Sequence, residues 1–362
     1  MKKTLQLSLI IGLFCIAVSA QKIAKPTLTP KPATDAQTVL IRLGIALHDA
    51  KKHDEAIAAY EKVLAENPDC TFAIYELAMS LYTKGDRVKA METAHRGAKY
   101  KSAELPLFYG VMATALDDVG KPNEAIKIYR DAIKILDGDK EYAEQLSSLY
   151  FNLGVTYARQ SKYAEARPEL KKAVEYNHKY ASPHYLLAVV YQGMKYKVPA
   201  MLSAARLISL EINSQRTKQS AAIFTGYLKA PQKDDKTGNI NIFMDFDAPK
   251  DEGDFGMYDL MLGTLMLADE KEDKGKTEDQ LFAEAVDTFI AMLSEDKKLA
   301  STFVGKNYVP FMAEMKKQGH TPAFAYLVRH HSGKEDALKW LTENDGKLRA
   351  MVNWSKAYET PK

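Results

Sequence analysis

The sequence has 362 residues, of which 46% are hydrophobic and 27% are charged, and its formal net charge is +3. A chain of this length can bury a sizeable core and form two domains, and the composition is that of a soluble globular protein. The small net charge gives no broad electrostatic attraction to nucleic acid or acidic lipid. Binding functions of that kind are therefore not expected.

The first twenty residues have the pattern of a cleaved signal peptide. Positive charge at Lys2 and Lys3 precedes an apolar run over 5–18, and residues 18–20 are small enough for a signal peptidase. A membrane anchor is the alternative, but the apolar run is shorter than the roughly 20 residues that span a bilayer. We therefore expect an exported protein that begins at Gln21 and is periplasmic, associated with the outer membrane or extracellular.

Cysteine usage excludes an internal disulfide framework in the exported chain. Beyond Cys15 in the leader, Cys70 is the one cysteine in the sequence. Its position beside Phe72 favours a small buried hydrophobic residue, with pairing to another chain as the alternative. Residues 21–36, which follow the leader, are expected to form a flexible segment.

A spacing of about 34 residues recurs along the first half of the chain. Gly44 and Ala56 in the first unit correspond to Ala78 and Ala90 in the second. A large apolar residue precedes the first small residue of each unit, at Leu43, Leu77, Met112, Leu153 and Leu187. Five occurrences, with one inserted residue before the third and a longer insertion before the fourth, indicate a repeat architecture.

This pattern resembles the tetratricopeptide repeat family, whose unit is a pair of antiparallel helices. The resemblance covers residues 37–212 and implies an all-α fold, a right-handed superhelical solenoid of about five repeats. In that register Leu43 packs inside the solenoid, so Leu43→Ala is expected to cost about 2–5 kcal/mol. Residues 214–229 are expected to form a polar-faced capping helix, which extends the solenoid domain to 37–229.

Residues 230–256 break the helical period and are interpreted as an acidic linker. Alternating apolar residues at 240–246 predict a short strand within it. Four acids could suggest calcium, namely Asp245, Asp247, Asp251 and Asp254. Pro249 and Lys250 spoil the order of an EF-hand loop, so a solvated acidic loop is favoured.

Residues 257–362 return to a helical period and are expected to form a small helical C-terminal domain that belongs to no family we could name. Helices are predicted at 257–269, 277–295, 298–318, 321–331, 334–344 and 346–358. Thr277 followed by Gln280 is typical of a helix-start cap, and Gly319 suits a helix end.

No sequence motif for catalysis or cofactor binding is present. The chain has no Gly-rich phosphate loop, no G-x-S-x-G elbow and no pair of histidines four apart with a Glu after the first. His330 and His331 are adjacent, so on a helix they point about 100° apart, which favours a surface pair over a metal site. Lys171 and Lys172 are interpreted as a solvated helix face. We predict no metal and no cofactor.

The resemblance implies a concave groove, lined by the first helix of each unit, that binds a protein or peptide partner. Extending the register assigns these groove positions: Ile41, Ile45, His48, Phe72, Tyr75, Met79, Tyr82, Thr114, Asp117, Phe151, Val155, Arg159, Tyr185, Val189 and Gln192. Tyr75, Tyr82 and Phe151 are the proposed anchors. Some family members grip a C-terminal carboxylate with Lys and Asn where Ile41 and Ile45 stand, so that clamp is not expected here. The alternative is that the chain's own linker or second domain covers the groove.

The sequence therefore favours an exported, non-catalytic scaffold or adaptor for protein–protein interaction. One alternative is a hydrolase whose site lies where the solenoid meets the C-terminal domain and uses Asp245, Asp247 or His320. Another is an envelope protein that binds carbohydrate or another ligand, for which Trp340 or Trp354 would have to be exposed.

Overall fold

The computed structural model describes residues 23–229, 250–267 and 275–360. Within these ranges the chain is all-α, with eighteen α-helices, two short 3₁₀ helices and one isolated β-bridge. The expected leader and the strand predicted at 240–246 lie outside the described residues.

The first ten helices form five consecutive antiparallel pairs. These are α1 (Asp35–Asp49) with α2 (His53–Glu66), α3 (Thr71–Lys84) with α4 (Arg87–Gly97), α5 (Leu105–Asp118) with α6 (Pro122–Leu136), α7 (Ala143–Arg159) with α8 (Tyr163–Tyr176), and α9 (Ala181–Gly193) with α10 (Lys197–Leu210). The second helix of each of the first four pairs also packs against the first helix of the next pair. The predicted solenoid of about five repeats is confirmed.

Small residues where helices cross allow the two helices of a pair to approach closely. A Cβ atom on Gly44 would lie 2.4 Å from the ring of Tyr60, so a larger residue would force α1 and α2 apart. Ala56 on α2 is fully buried. Gly85 follows α3 with a φ of +104°, a left-handed conformation that glycine adopts without strain. The recurring small residues therefore set the spacing of the array.

The prediction that Leu43 packs inside the solenoid is wrong. Its side chain is 51% exposed, whereas the equivalent leucines Leu77, Leu153 and Leu187 are at most 8% exposed. In the later units this position lies on a helix that packs against the preceding pair, and no described helix precedes α1. The repeat pattern identifies the position but does not take account of the end of the array.

The described part of the N-terminal segment, residues 23–34, is extended and held by hydrogen bonds, in contrast to the flexible segment expected. The Thr27 amide donates to the carbonyl of Lys99, and the Lys101 amide donates to the carbonyl of Leu28. The Asn67 side chain donates to the carbonyl of Pro32 at 3.0 Å. The segment thus runs along the loops that precede α3 and α5. Backbone groups of these loops gain hydrogen-bond partners in the segment. Amino-acid composition alone does not predict such contacts.

After the pairs come α11 (Gln215–Tyr227) and the C-terminal helices. These are α12 (Gly256–Leu262), α13 (Glu278–Glu295), α14 (Phe303–Asn307), α15 (Val309–Lys317), α16 (Thr321–His331), α17 (Glu335–Glu343) and α18 (Asp345–Ala357). Thr277 and Gln280 form the predicted capping box at the start of α13, and Gly319 lies at the end of α15 with a φ of +70°.

The prediction of one continuous helix at 298–318 is wrong, because the helix is interrupted. A 3₁₀ helix at Leu299–Ser301 and the short α14 precede α15. Pro310 in the first turn of α15 has no amide hydrogen to donate to the turn before it. Thr302 caps the start of α14 with its hydroxyl. Apolar residues three and four apart continue through this break, so their periodicity does not show it.

The C-terminal helices cover the end of the solenoid that a polar-faced cap was expected to close. Helix α11 packs between α10 and α16. Phe224 of α11 is fully buried and meets the rings of Phe282 and Phe324 edge to face, at 6.3 and 5.6 Å. Helix α18 lies on α10. The C-terminal domain therefore continues the hydrophobic core of the solenoid.

An ion-pair cluster around buried Glu252 joins the residues before α12 to α8. Lys171 Nζ lies 2.9 Å from Glu252 Oε1, and the Glu252 side chain is only 2% exposed. Arg167 pairs with Glu252 at 3.3 Å and with Asp251 at 2.6 Å. The interpretation of Lys171 as part of a solvated face is therefore wrong, because its acidic partner lies 81 positions away in the sequence.

Candidate binding groove

The first helices of the second, third and fourth pairs enclose an open pocket of about 220 Å³. Helix α3 contributes Tyr75, Met79 and Tyr82 to this groove. Its other lining residues are Pro106, Leu107, Gly110, Val111 and Thr114 of α5 and Gln145, Ser148, Leu149 and Asn152 of α7. The three helices are consecutive first helices of the array, so the groove follows directly from the repeat.

The wall formed by α3 and α5 is mainly apolar. The ring of Tyr75 lines the pocket and meets buried Phe108 edge to face at 6.2 Å, a contact that holds the ring in place. A Cβ atom built on Gly110 would find no other atom within 4 Å. The absent side chain of Gly110 therefore contributes to the open space of the groove.

The opposite wall carries uncharged polar groups on α7. Gln145, Ser148 and Asn152 are spaced by three and four residues, so they share one face of the helix. The Oε1 atom of Gln145 is buried and has no hydrogen-bond partner among the described residues. A buried acceptor without a partner is costly, and a ligand N–H group would satisfy it. The groove thus offers apolar contact on one side and hydrogen bonding on the other.

Charged residues close the end of the groove where α3, α5 and α7 terminate. The Tyr82 hydroxyl donates to Asp118 at 2.5 Å. Arg159 Nη1 donates to Asp117 at 2.9 Å and to Asp118 at 3.3 Å. Arg87 lies 3.3 Å from Asp118. This network links three consecutive units across the groove.

The network also shifts the ionisation of its members. Burial alone would raise the pKa of Asp118, but hydrogen bonds from Tyr82 and Arg159 and the charge of Arg87 bring it below its ordinary value. Burial and the neighbouring Asp118 carboxylate raise the pKa of Tyr82 to about 12. At neutral pH the groove end therefore holds an ionised aspartate and a neutral tyrosine.

Some of the predicted groove residues line this pocket or its charged end, and the others do not. Tyr75, Met79, Tyr82 and Thr114 line the pocket. Asp117 and Arg159 belong to the charged end.

Other predicted positions lie elsewhere along the array. Ile45 is half-buried, and His48 lies 2.7 Å from the Ser80 hydroxyl, which ties α1 to α3. Phe151 packs edge-on against Tyr180 at 5.3 Å. The Tyr185 hydroxyl donates to Gln219 at 2.6 Å, while Gln192 is exposed.

Two further positions have different surroundings from those predicted. Ile41 is fully buried and belongs to the hydrophobic core, so it is not the groove residue predicted. Phe72 is 40% exposed and lies in a second, more polar cleft beside the N-terminal segment, lined also by Pro32, Lys101 and Glu104.

The sequence reasoning missed Leu107, Gly110, Gln145, Ser148 and Asn152. A step of 35 residues from Phe72 and Tyr75 leads to Leu107 and Gly110, so the register could have found both. Gly110 has no side chain to contact a ligand, so its residue type gives no sign of a binding position. Gln145 and Asn152 depend on the longer α7, whose start the repeat does not define.

The residues named for the hydrolase and carbohydrate-binding alternatives lie outside the described ranges or pack against other side chains. Asp245 and Asp247 lie outside the described residues. His320 lies against Trp354 with ring centres 5.3 Å apart, and burial lowers the pKa of His320. Trp340 stacks on Tyr326 at 4.1 Å, and Trp354 stacks on Phe311 at 5.0 Å, so each tryptophan already has one face covered.

The described ranges contain neither a candidate metal site nor a candidate membrane-spanning helix. No group of three His, Cys, Asp or Glu side chains there could hold a metal ion. His331 Nε2 donates to the carbonyl of Ile212 at 2.7 Å, which occupies one nitrogen of the adjacent pair. No helix in the described part has both the length and the apolar character needed to cross a membrane.

Comparison with known proteins matches two stretches to tetratricopeptide repeat models, residues 38–70 and residues 147–180. These stretches contain α1 with α2 and α7 with α8. A comparison with curated proteins gives no match.

Similar solved structures include a thermophilic TPR protein of Thermus thermophilus, 21% identical, which covers 52% of this chain and 99% of its own at a TM-score of 0.42. PilF of Pseudomonas aeruginosa is 20% identical and covers 53% of this chain and 89% of its own, with a TM-score of 0.42. YrrB, described as a TPR protein with an unusual peptide-binding site, is 16% identical over 50% of this chain and 89% of its own, with a TM-score of 0.36.

The matched repeats, the five antiparallel helix pairs and the small residues at their crossings agree with one another. Tetratricopeptide repeats form protein-interaction scaffolds. Residues 38–70 and 147–180 are therefore tetratricopeptide repeats, and they lie within a solenoid of five antiparallel helix pairs at residues 35–210.

Proposed function

We propose that this protein is an exported, non-catalytic scaffold that binds an extended peptide segment of a partner protein in the groove formed by α3, α5 and α7. The observation that carries the proposal is the pairing of an apolar wall with the partnerless acceptor Gln145 Oε1 on the facing helix. Export is supported by the signal-like pattern of the first twenty residues.

The groove suits a short extended segment with apolar side chains. Gln145 and Asn152 are seven residues apart on α7, which is about 10 Å along the helix. An extended peptide advances roughly 3.3 Å per residue, so about three ligand residues would span these side chains. Ligand backbone groups would hydrogen-bond to the side-chain amides of Gln145 and Asn152. Apolar ligand side chains would pack on Tyr75 and Met79.

The charged end favours neither strongly acidic nor strongly basic ligands. Arg159 and Arg87 are already paired with Asp117 and Asp118, so their charges largely offset each other. A ligand that paired with Arg159 would have to replace an existing ion pair. Affinity is therefore expected to come mainly from apolar contact and backbone hydrogen bonds.

The test is to fill the groove without disturbing the fold. Because a Cβ on Gly110 meets no other atom within 4 Å, Gly110→Leu should place its side chain in the pocket. Leucine also favours helix over glycine, so the thermal midpoint of unfolding should not fall. Peptides selected from a display library on the wild-type protein should lose about tenfold or more in affinity for G110L.

Gly226→Leu is the matched control, since Gly226 lies on α11, is exposed and has equal free space. G226L should bind the selected peptides as the wild type does. If G110L binds them with unchanged affinity, the groove is not their site.

A further inference from the structure

We propose that the free face of α1 is a self-association surface, on which α1 of a second copy of this chain packs in antiparallel orientation about a twofold axis. The proposal is independent of the groove. It rests on the burial, orientation and charge of α1.

Helix α1 exposes residues that the repeat normally buries. Four residues form a stripe along it at spacings of three and four, and all are exposed: Ala36, Val39, Leu43 and Ala46. Their equivalents 34 positions later are at most 8% exposed: Cys70, Ala73, Leu77 and Ser80. The stripe on α1 thus has the composition of a helix–helix contact surface, but no described helix packs on it.

Nothing among the described residues covers this stripe. The N-terminal segment 23–34 is hydrogen-bonded to the loops before α3 and α5, and the four stripe residues remain exposed. The other end of the array is covered by the C-terminal domain, where α11 packs on α16. Head-to-tail stacking of copies would need that covered end, which leaves head-to-head contact through α1.

The repeat also fixes the orientation of the missing helix. Consecutive helices of the array are antiparallel, so a helix placed ahead of α1 would run antiparallel to it. A twofold axis through Leu43 gives a second α1 this same orientation. A second copy therefore supplies the direction of helix that the stripe is shaped to accept.

Charge at the two ends of α1 complements this arrangement. Asp35 begins α1 and Lys51 lies in the turn just after its end, so the antiparallel arrangement brings the acidic start of one helix near the basic turn that follows the other, and this occurs twice by symmetry. The positive N-terminal and negative C-terminal ends of the two helices also face each other. Ala36 and Ala46 are small enough to let the backbones approach.

The contact is modest in size. Helix α1 has 15 residues and is therefore roughly 22 Å long, so two such helices bury less area than a typical stable complex. We expect a dimer that forms with rising concentration. Its signature is a mass average that increases toward twice the chain mass.

Sedimentation equilibrium on the full chain over a concentration series tests the proposal. Leu43→Glu would place two carboxylates on the twofold axis in an apolar contact, so its dimer dissociation constant should rise about tenfold or more. Leu338→Glu is the matched control, because Leu338 on α17 is 50% exposed and Leu43 is 51% exposed. L338E should dimerise as the wild type does.

A charge exchange tests the orientation separately. Asp35→Lys alone should weaken the dimer, and adding Lys51→Asp should restore it, because the pair is then reversed at both ends. Lys51 has a φ of +61°, which aspartate tolerates, so the second change adds no strain. Circular dichroism should be unchanged in all variants.

Several results would overturn the proposal. They are a wild-type chain that stays monomeric at every concentration, an L43E variant that dimerises like the wild type, and a D35K variant that Lys51→Asp does not rescue.

Discussion

At the scale of single residues, equivalent repeat positions contribute different amounts to the free energy of unfolding. Leu77 is buried against the first helix pair, whereas Leu43 is half exposed at the free end of the array. Leu77→Ala should lower the free energy of unfolding by about 2–5 kcal/mol through loss of packing. Leu43→Ala should lower it by no more than about 0.5 kcal/mol, since an exposed side chain leaves no cavity.

Urea unfolding followed by circular dichroism at low protein concentration measures both changes. Low concentration keeps the chain monomeric, so self-association through α1 does not contribute. Equal losses in the two variants would contradict the assignment of α1 as the uncovered end.

Residue patterns predicted much of the repeat but little of the groove's detail. The small residues Gly44 and Ala56 mark the helix crossings correctly, and Cys70 is buried as predicted. Gly110 matters through the side chain it lacks. Gln145 matters through an acceptor left without a partner, which appears only when α5 and α7 are packed together.

At the scale of helices, boundaries are predicted well where a cap or breaker marks them. Helix α16 spans Thr321–His331, the range predicted, and it follows Gly319, the predicted end of the helix before it. The contacts between domains are not predictable in this way. Lys171 pairs with Glu252, and His184 hydrogen-bonds to Tyr308, across 81 and 124 positions. Local sequence carries no information about such partners.

The contact of α9 with the C-terminal domain should make stability depend on pH. His184 is fully buried, and burial together with the charge of Arg206 lowers its pKa to about 3. Its Nε2 donates to the carbonyl of His178 at 2.9 Å, and its Nδ1 accepts from the Tyr308 hydroxyl at 3.0 Å. These bonds need the neutral ring.

The unfolded chain binds a proton at His184 near pH 6.5, and the folded chain does not until about pH 3. The unfolded state therefore binds more protons between these values, and stability falls as the pH falls below about 6.5. His184 contributes a slope of up to about 1.4 kcal/mol per pH unit.

His184→Gln keeps a donor and an acceptor but cannot titrate. Urea unfolding between about pH 4 and pH 7 should show a shallower loss of stability in H184Q than in the wild type. His178, whose pKa burial also lowers, is present in both proteins. Parallel pH profiles would contradict the burial of a neutral His184.

At the scale of the whole molecule, one array presents two kinds of surface. The inner side of α3, α5 and α7 holds the groove, and the outer side of α1 holds the apolar stripe. The C-terminal domain covers the far end through α11 and α10 and leaves both surfaces open among the described residues. Dimerisation through α1 would place two grooves in one assembly, which raises the effective affinity for a partner with two binding segments.

Methionine methyl NMR shows whether a partner peptide binds between α3, α5 and α7. Met79 lines the groove, whereas Met257 on α12 is 66% exposed in the C-terminal domain. With ¹³C-methyl methionine in the protein, and with Met79→Leu and Met257→Leu to assign the two signals, a peptide selected on the wild type is titrated in. Binding in the groove should shift the Met79 methyl resonance in a saturable way, while the Met257 resonance should stay in place. A peptide that binds and leaves the Met79 resonance unmoved would contradict binding in the groove.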